Sequence, residues 1–242
     1  MKVRHWATWV TCLATVELTK LTAGSEITHT DFSGQQPRDA ALTDCYFEHC
    51  DFSGVNLRNA DLTGSQFRQC QFNNQASELP VDLKFATLRE ASFTRCNLAL
   101  ANFSQCRGYG VQFDNCQLQG ADFSHADFRL PIGGSDLVEL IVDQCNLSFA
   151  DFSNTYLVGS QLTDCRMLEA ILDYCDLSQA NLSGAELHGI SATGLTIAGA
   201  DLRGAEFSGL DPRQIDLTGV KIYASQGWQI IDTLGIEVES DP

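Results

Sequence analysis

The chain has 242 residues, with 31 acidic side chains against 15 Lys and Arg and a net charge of −16 at pH 7. A protein that binds nucleic acid directly needs a basic face, so this charge argues against that class and permits a partner with a basic surface. Many proteins are acidic for solubility alone, and charge by itself does not separate the two interpretations.

Residues 1–24 show no regular pattern. The start, from Lys2 to Val16, resembles a weak signal peptide, but Glu17 and Lys20 interrupt it and no Ala-x-Ala cleavage site follows. The apolar run is also too short to cross a membrane as a helix. We predict a helical or poorly ordered N-terminal extension over 1–24, or a translation start placed too early, and a cytoplasmic protein without a membrane partner.

From residue 25 to 224 the sequence repeats every five residues, as in the successive blocks CDLSQ, ANLSG and AELHG that begin at Cys175. We call the third residue of each block its centre. Twelve of the 14 Phe residues are centres, and the other centres are mostly Leu. A period of five fits neither a helix nor a long strand, and a short period sustained over many blocks indicates a solenoid.

Two further positions in the block are regular. The residue two before the centre is small or apolar and includes nine of the ten Cys, and 13 of the 19 Gly lie two after a centre. Because Gly tolerates positive φ, this second position predicts a corner. Four blocks would then close a square coil of about 20 residues, with coils roughly 4.8 Å apart and about nine coils in a rod of about 43 Å. Phe32, Phe52 and Phe72 would stack in one ladder, and Phe103 and Phe123 in another.

The cysteines and histidines do not form a reactive site. Cys50 and Cys70 are separated by four blocks, as are two other pairs, which predicts buried neighbours in the column rather than disulfides. No CxxC motif occurs and the histidines are scattered, so we predict no metal, no cofactor and no enzymatic activity. The acidic residues that precede many centres predict a surface ladder, not paired catalytic carboxylates.

Two insertions break the period. The step from Phe72 to the next centre, Leu83, exceeds two blocks by a single position, and the step from Phe128 to Val142 falls a single position short of three blocks. We predict that these insertions, loop A (75–80) and loop B (130–140), form a partner-binding surface, because loops that interrupt a regular solenoid often carry its contacts. The alternative is a harmless insertion. The residues concerned are Gln75, Ala76, Ser77, Glu78, Leu79 and Pro80 in loop A, and Leu130, Pro131, Ile132, Gly133, Gly134, Ser135, Asp136, Leu137, Val138, Glu139 and Leu140 in loop B.

The C-terminal segment, 225–242, differs from the repeat. Ser225 is predicted to cap a short helix that ends at Gly235, followed by a strand over 236–238. The open end of a solenoid must be capped or paired, so apolar residues here predict either a plug or a two-fold dimer. The predicted dimer interface comprises Ile222, Tyr223, Trp228, Ile230, Ile231, Leu234, Ile236 and Val238.

The blocks NADLT, QGADF, SQANL and AGADL resemble the A(D/N)LXX motif of pentapeptide-repeat proteins. That resemblance implies an all-β fold, a right-handed quadrilateral β-helix. The segments RCNLALANFSQC, GVQFDNCQLQGADFS and QCNLSFADFSN, the two loops, GLDPRQIDLTGVKI and the tail LGIEV are similar to the quinolone-resistance (Qnr-type) group. The extension before about residue 21 departs from that group.

The second resemblance implies a homodimer joined through the C-terminal segments. Such a rod imitates DNA, binds DNA gyrase and topoisomerase IV, and protects them from quinolones, which confers antibiotic resistance. A duplex of the predicted length carries about 25 phosphate charges, more than the net 16 of this chain. The rod would therefore be a weaker competitor than DNA. The alternatives are a gyrase inhibitor or toxin-immunity protein, and a structural scaffold without topoisomerase contact.

Overall fold

A computed structural model describes residues 16–73, 80–132, 135–207 and 210–237. Each five-residue block forms one wall of a four-walled coil, and the coils stack along one axis. The first wall is a parallel sheet in the order β1-β2-β3-β4-β5-β8-β9. Its strands are β1 (Glu26–Thr28), β2 (Tyr46–Glu48), β3 (Gln66–Arg68), β4 (Ser92–Thr94), β5 (Val111–Asp114), β8 (Leu140–Asp143) and β9 (Gln161–Thr163).

The other three walls are held by single parallel bridges, such as Asp31 with Asp51 and Ala41 with Asp61. Partners are separated by four blocks wherever the repeat is uninterrupted, which confirms the predicted square coil and the β-helix fold. The second wall has the centres Phe32, Phe52, Phe72, Leu98, Leu118, Leu147, Met167, Leu187 and Phe207; the third wall begins at Pro37 and the fourth at Leu42.

The corners lie where the glycines predict them. Gly34 and Gly64 both have φ of 69°, and non-glycine residues at the same position, such as Asn59, also have positive φ. The aspartates before the centres support these corners. Asp51 Oδ1 accepts a 2.8 Å hydrogen bond from the backbone N–H of Ser53, a short Asx-type turn. The repeat therefore uses Asp or Asn there for local structure as well as for charge.

The core is a column of stacked rings and aliphatic side chains. The rings of Phe52 and Phe72 are 5.0 Å apart and nearly parallel. Phe103 and Phe123 are 4.7 Å apart, which confirms the second predicted ladder. The sheet wall adds a third ladder that the spacing also explains, formed by Phe47, Phe67, Phe93 and Phe113.

Nine cysteines are buried and none is in a disulfide among the residues described, whereas Cys12 lies outside them. Six stack in the second wall, namely Cys50, Cys70, Cys96, Cys116, Cys145 and Cys165. Each thiol in this column points at backbone carbonyls; that of Cys116 is 3.3 Å from the Phe93 oxygen. Burial raises the pKa of Cys165 and of Cys175 to about 12, so these thiols stay protonated at neutral pH.

Both insertions leave the stack of coils intact. Gln66 pairs with Ser92 across loop A, and Val111 pairs with Leu140 across loop B, so the parallel register continues although the chain between partners is longer. Loop B forms an antiparallel hairpin of β6 (Arg129–Ile132) and β7 (Ser135–Val138). Leu140 was predicted to belong to the loop, but it lies in β8 with its side chain buried, because it occupies an inward position of the repeat.

The N-terminal end of the column is covered by part of the predicted extension. A single 3₁₀ turn at Leu18–Lys20 places the Leu18 side chain, 1% exposed, on the core. Gln35 fixes the turn, because its side chain accepts from the Leu18 N–H at 3.0 Å and donates to the Val16 carbonyl at 2.9 Å. Residues 1–15 lie outside the described residues.

The C-terminal end is covered by a second 3₁₀ turn (Ala224–Gln226) and helix α1 (Gly227–Thr233), followed by Gly235 at φ 71° as predicted. Ser225 does not cap the helix, since it lies inside the 3₁₀ turn. The buried Gln226 instead joins this segment to the last coil and so caps the end of the column. Its Nε2 donates to the carbonyls of Leu202 and Ala205, and its Oε1 accepts from the N–H groups of Gly204 and Tyr223. Residues 236–237 form no strand, and 238 is outside the described residues.

Candidate partner-binding surface

Loop B is attached to the fourth wall by contacts at both of its ends, one of them between residues that are distant in the sequence. The N–H of Gly110 donates to the Glu139 carbonyl at 2.8 Å. Desolvation and the neighbouring Glu139 carboxylate raise the pKa of Tyr109, which places the phenol beside the base of the hairpin. At the other strand, Arg129 pairs with Asp127 at 2.8 Å. These contacts fix the direction in which the hairpin leaves the rod.

The side chains at the base of the hairpin have different environments. Leu137 is 49% exposed and Glu139 is exposed, whereas Val138 packs against the core and Leu130 is half-buried. Four other predicted contact residues, Pro131, Ile132, Ser135 and Asp136, lie in the two strands, and Gly133 and Gly134 fall outside the described residues. Leu137 and Glu139 are therefore the loop B side chains seen to face solvent.

Loop A leaves the coil after Asn73, at the edge between the second and third walls, and the chain rejoins the third wall through the half-buried Pro80. Residues 75–79 of the predicted contact set lie outside the described residues. Loop B leaves at the edge between the fourth wall and the sheet. These two edges are diagonal in the square cross-section, and the insertions are about two and a half coils, or about 12 Å, apart along the axis.

The predicted dimer residues form two layers on the C-terminal cap. Ile222 and Ile230 pack against the core, and Ile231 is half-buried. Tyr223, Trp228 and Ile236 are each 54% exposed, and Leu234 is 40% exposed. The outer layer consists of large apolar side chains exposed on the C-terminal cap. Of the predicted set, Val238 alone lies outside the described residues.

The rod surface carries ionised carboxylates on every wall. Hydrogen bonds from Ser33 lower the pKa of Asp31, and those from Arg213 lower the pKa of Asp211 to about 2. Arginines neutralise part of this charge: Arg203 pairs with Asp201 at 2.6 Å, and Arg213 with Asp211 at 2.8 Å. These pairs are exposed, so they contribute little to stability and leave the field of the rod negative.

This four-walled solenoid with its Asp-supported corners matches one family. A protein-family model described as pentapeptide repeats matches the chain in eight copies. The matched residues are 38–74, 81–107, 109–129, 134–167, 145–184 and 168–194. The chain belongs to the pentapeptide-repeat family.

Among solved structures, the chain is similar to QnrB1, which is described as a plasmid-mediated fluoroquinolone resistance protein. A trypsin-treated variant of QnrB1 is 30% identical, with a TM-score of 0.72 over 90% of this chain and 100% of that chain. Full-length QnrB1 is 29% identical, with a TM-score of 0.76 over 88% of this chain and 100% of that chain. The likeness therefore extends beyond the repeat to the whole of the known structure.

A comparison with curated proteins found no match. Within the part of the chain that the structure describes, no helix has the length and apolar character needed to cross a membrane.

Proposed function

We propose that this protein is a quinolone-protection protein that binds DNA gyrase and topoisomerase IV, is not an enzyme, and acts in the cytoplasm. The observation that carries the proposal is the likeness to QnrB1, which covers 90% of this chain and the whole of a known fluoroquinolone-resistance structure. The −16 net charge supports it, because a negative rod is attracted to the basic groove in which a topoisomerase holds DNA.

In this proposal the rod occupies the DNA-binding groove while the two loops contact neighbouring domains and destabilise the drug-trapped cleavage complex. The lower charge of the rod relative to duplex DNA makes it a weak competitor, so the enzyme keeps working. The exposure of Trp228, Tyr223 and Ile236 supports a homodimer joined end to end, since burying these side chains in a two-fold contact removes apolar surface from water.

The test is gyrase supercoiling with ciprofloxacin, titrated with purified protein, beside a series without drug. Rescue at low protein concentration, with inhibition confined to high concentration, is the expected result. Inhibition without rescue would replace the proposal with a gyrase inhibitor or immunity protein. No effect in either series, together with no binding at low salt, would leave a scaffold whose partner is elsewhere.

Loop participation needs its own variants. Deletion of 75–80, or replacement of 130–139 by a short turn, is expected to abolish rescue while thermal unfolding stays cooperative, because the coils stack across both insertions. Leu137→Ser with Glu139→Gln tests the exposed hairpin side chains without altering the backbone. Full rescue by all three variants would refute the role of the loops.

A further inference from the structure

One part of the second wall has no charged side chain, although the rod as a whole is strongly acidic. Over four successive coils its outward positions before and after the centres are occupied by amides and small residues. They are Gln71, Asn73, Asn97, Ala99, Gln117, Gln119 and Asn146, with Ser148 buried at the remaining position. The same wall carries Asp31 and Asp51 towards one end and Glu186 and Glu206 towards the other. We call this uncharged segment the neutral patch.

Two large apolar side chains stand at the corner of the neutral patch. Leu100 is 55% exposed and Phe149 is 56% exposed, two coils apart on the edge between the second and third walls. Gly120 lies between them, and a Cβ there would meet Leu100 Cδ2 at 2.8 Å. The Leu100 side chain thus lies over the glycine and helps to make the edge continuously apolar.

Neither residue suits the backbone conformation it occupies. Leu100 has φ of 61° and Phe149 has φ of 62°, a region in which bulky side chains are strained and Gly or Asn is favoured. The chain itself uses Asn at this position at Asn59, Asn115 and Asn154. Leu100 packs over Gly120, but more than half of each of the two residues faces water.

Charge surrounds the neutral patch without entering it. Asp114 and Asp143 lie on the adjoining sheet wall, and Asp122 and Asp151 on the adjoining third wall. Arg95 is also at the sheet edge, and Arg166 at the far end pairs with Glu186 at 3.5 Å. An uncharged surface with an apolar edge, bordered by charged side chains, has the composition of a protein–protein interface, and it lacks the cations that a phosphate backbone would require.

From these observations we infer that the neutral patch is a docking surface for a protein partner that presents an apolar pocket bordered by basic side chains. It begins at the edge where loop A leaves the rod, so both would face the same partner domain. The inference rests on the proposed function and deepens it: this side of the rod would contact the topoisomerase by apolar burial, not by imitating DNA.

The test replaces both corner residues by Asn, as Leu100→Asn with Phe149→Asn. Because Asn suits positive φ, the double variant should keep or raise the unfolding temperature, whereas its affinity for the gyrase tetramer should fall about tenfold or more, the loss expected when apolar contacts that carry binding are removed. The salt dependence of the remaining binding should be unchanged, since every carboxylate is kept. Tyr174→Asn is the matched control, because Tyr174 is 64% exposed at φ 56° on another edge.

A second variant keeps the test independent of the corners. Gln117→Lys places a charge at the exposed centre of the neutral patch, and Gln112→Lys adds the same charge to the sheet wall of the same coil. Loss of affinity in the first and not the second is expected. If the wild-type chain binds gyrase and the patch variants bind equally well, the inference fails while the proposed function stands.

Three other outcomes overturn the inference. A lower unfolding temperature in the Asn variant, with normal binding of Gln117→Lys, would assign the corner residues to the fold. If the patch variants lose a self-associated species in sedimentation but keep their affinity for gyrase, the neutral patch binds a second copy of this chain. Failure of the wild-type chain to bind gyrase removes the partner and the proposed function together.

Discussion

The cap formed by Gln226 gives the sharpest test of how the C-terminal end is built. Its side-chain amide makes four hydrogen bonds of 2.7–3.0 Å to backbone groups, and the residue is 6% exposed. Gln226→Met keeps the length and volume of the side chain and removes all four. Each bond contributes about 1 kcal/mol, and water can replace part of the lost bonds at the chain end. We therefore expect the free energy of unfolding to fall by about 2–4 kcal/mol.

Urea denaturation at neutral pH measures this loss, and hydrogen exchange locates it. The amides of Gly204 and Tyr223, which donate to the Gln226 oxygen, should exchange faster in the variant than in the wild type. Gln112→Met is the control, because Gln112 is exposed on the sheet wall and its side chain does not hold the cap. A change below about 0.5 kcal/mol with unaltered exchange would refute the assignment of Gln226 as the cap.

The other predictions concern assembly, packing and pH. Trp228→Glu should yield monomers by light scattering, because it places a charge among the exposed apolar side chains of the cap; persistent dimers would move the interface elsewhere. Gly108→Ala should lower the free energy of unfolding in urea by about 1–3 kcal/mol, since the new methyl would lie 3.1 Å from the Phe128 ring. Adding Phe128→Leu should restore part of the lost stability. Asp211, with its pKa lowered to about 2 by Arg213, contributes stability that is complete above about pH 4 and lost as pH falls towards 2. Because this pair is exposed, Asp211→Asn should remove only a small part of the acid limb of the stability profile, and a large loss of stability at neutral pH would contradict this.

The repeat was predictable because one local rule governs every wall. Each block buries its centre and the residue two before it. The residues that stack on Phe47 and on Cys50 in the following coils are therefore buried as well. The corners follow from the same rule, as the positive φ of Gly34 and Asn59 shows. Sequence periodicity was therefore sufficient for the fold class, the ladders and the position of both insertions.

The exceptions could not be derived from the period, because they depend on contacts between distant residues. Leu18 covers the core only when Gln35, which is far along the chain, is placed beside it. In the sequence, Gln226 cannot be told from any other polar residue. Its role follows only from the backbone groups of the last coil that lie beside it in the structure. Leu140 could have been assigned correctly, since it lies two before the centre Val142 and has the inward apolar character of that position.

The neutral patch was hidden for a related reason. Its residues come from four coils, and the sequence separation between stacked partners changes each time an insertion is crossed. Along the chain, Leu100 and Phe149 are isolated apolar residues between small ones. Their shared edge appears only after the register across both loops is known.

The diagonal placement of the two insertions restricts how anything can hold this rod. A flat surface placed against one wall borders the edge at which one insertion leaves the rod, while the other insertion leaves from the opposite edge. A partner that contacts both insertions must therefore surround about half of the circumference of the rod. Because the insertions are also offset along the axis, the two contact sites of the partner must have the same offset. A DNA duplex presents the same grooves at every turn, so it can bind in many equivalent positions. This rod can contact such a partner through both insertions in only one rotational and one axial position.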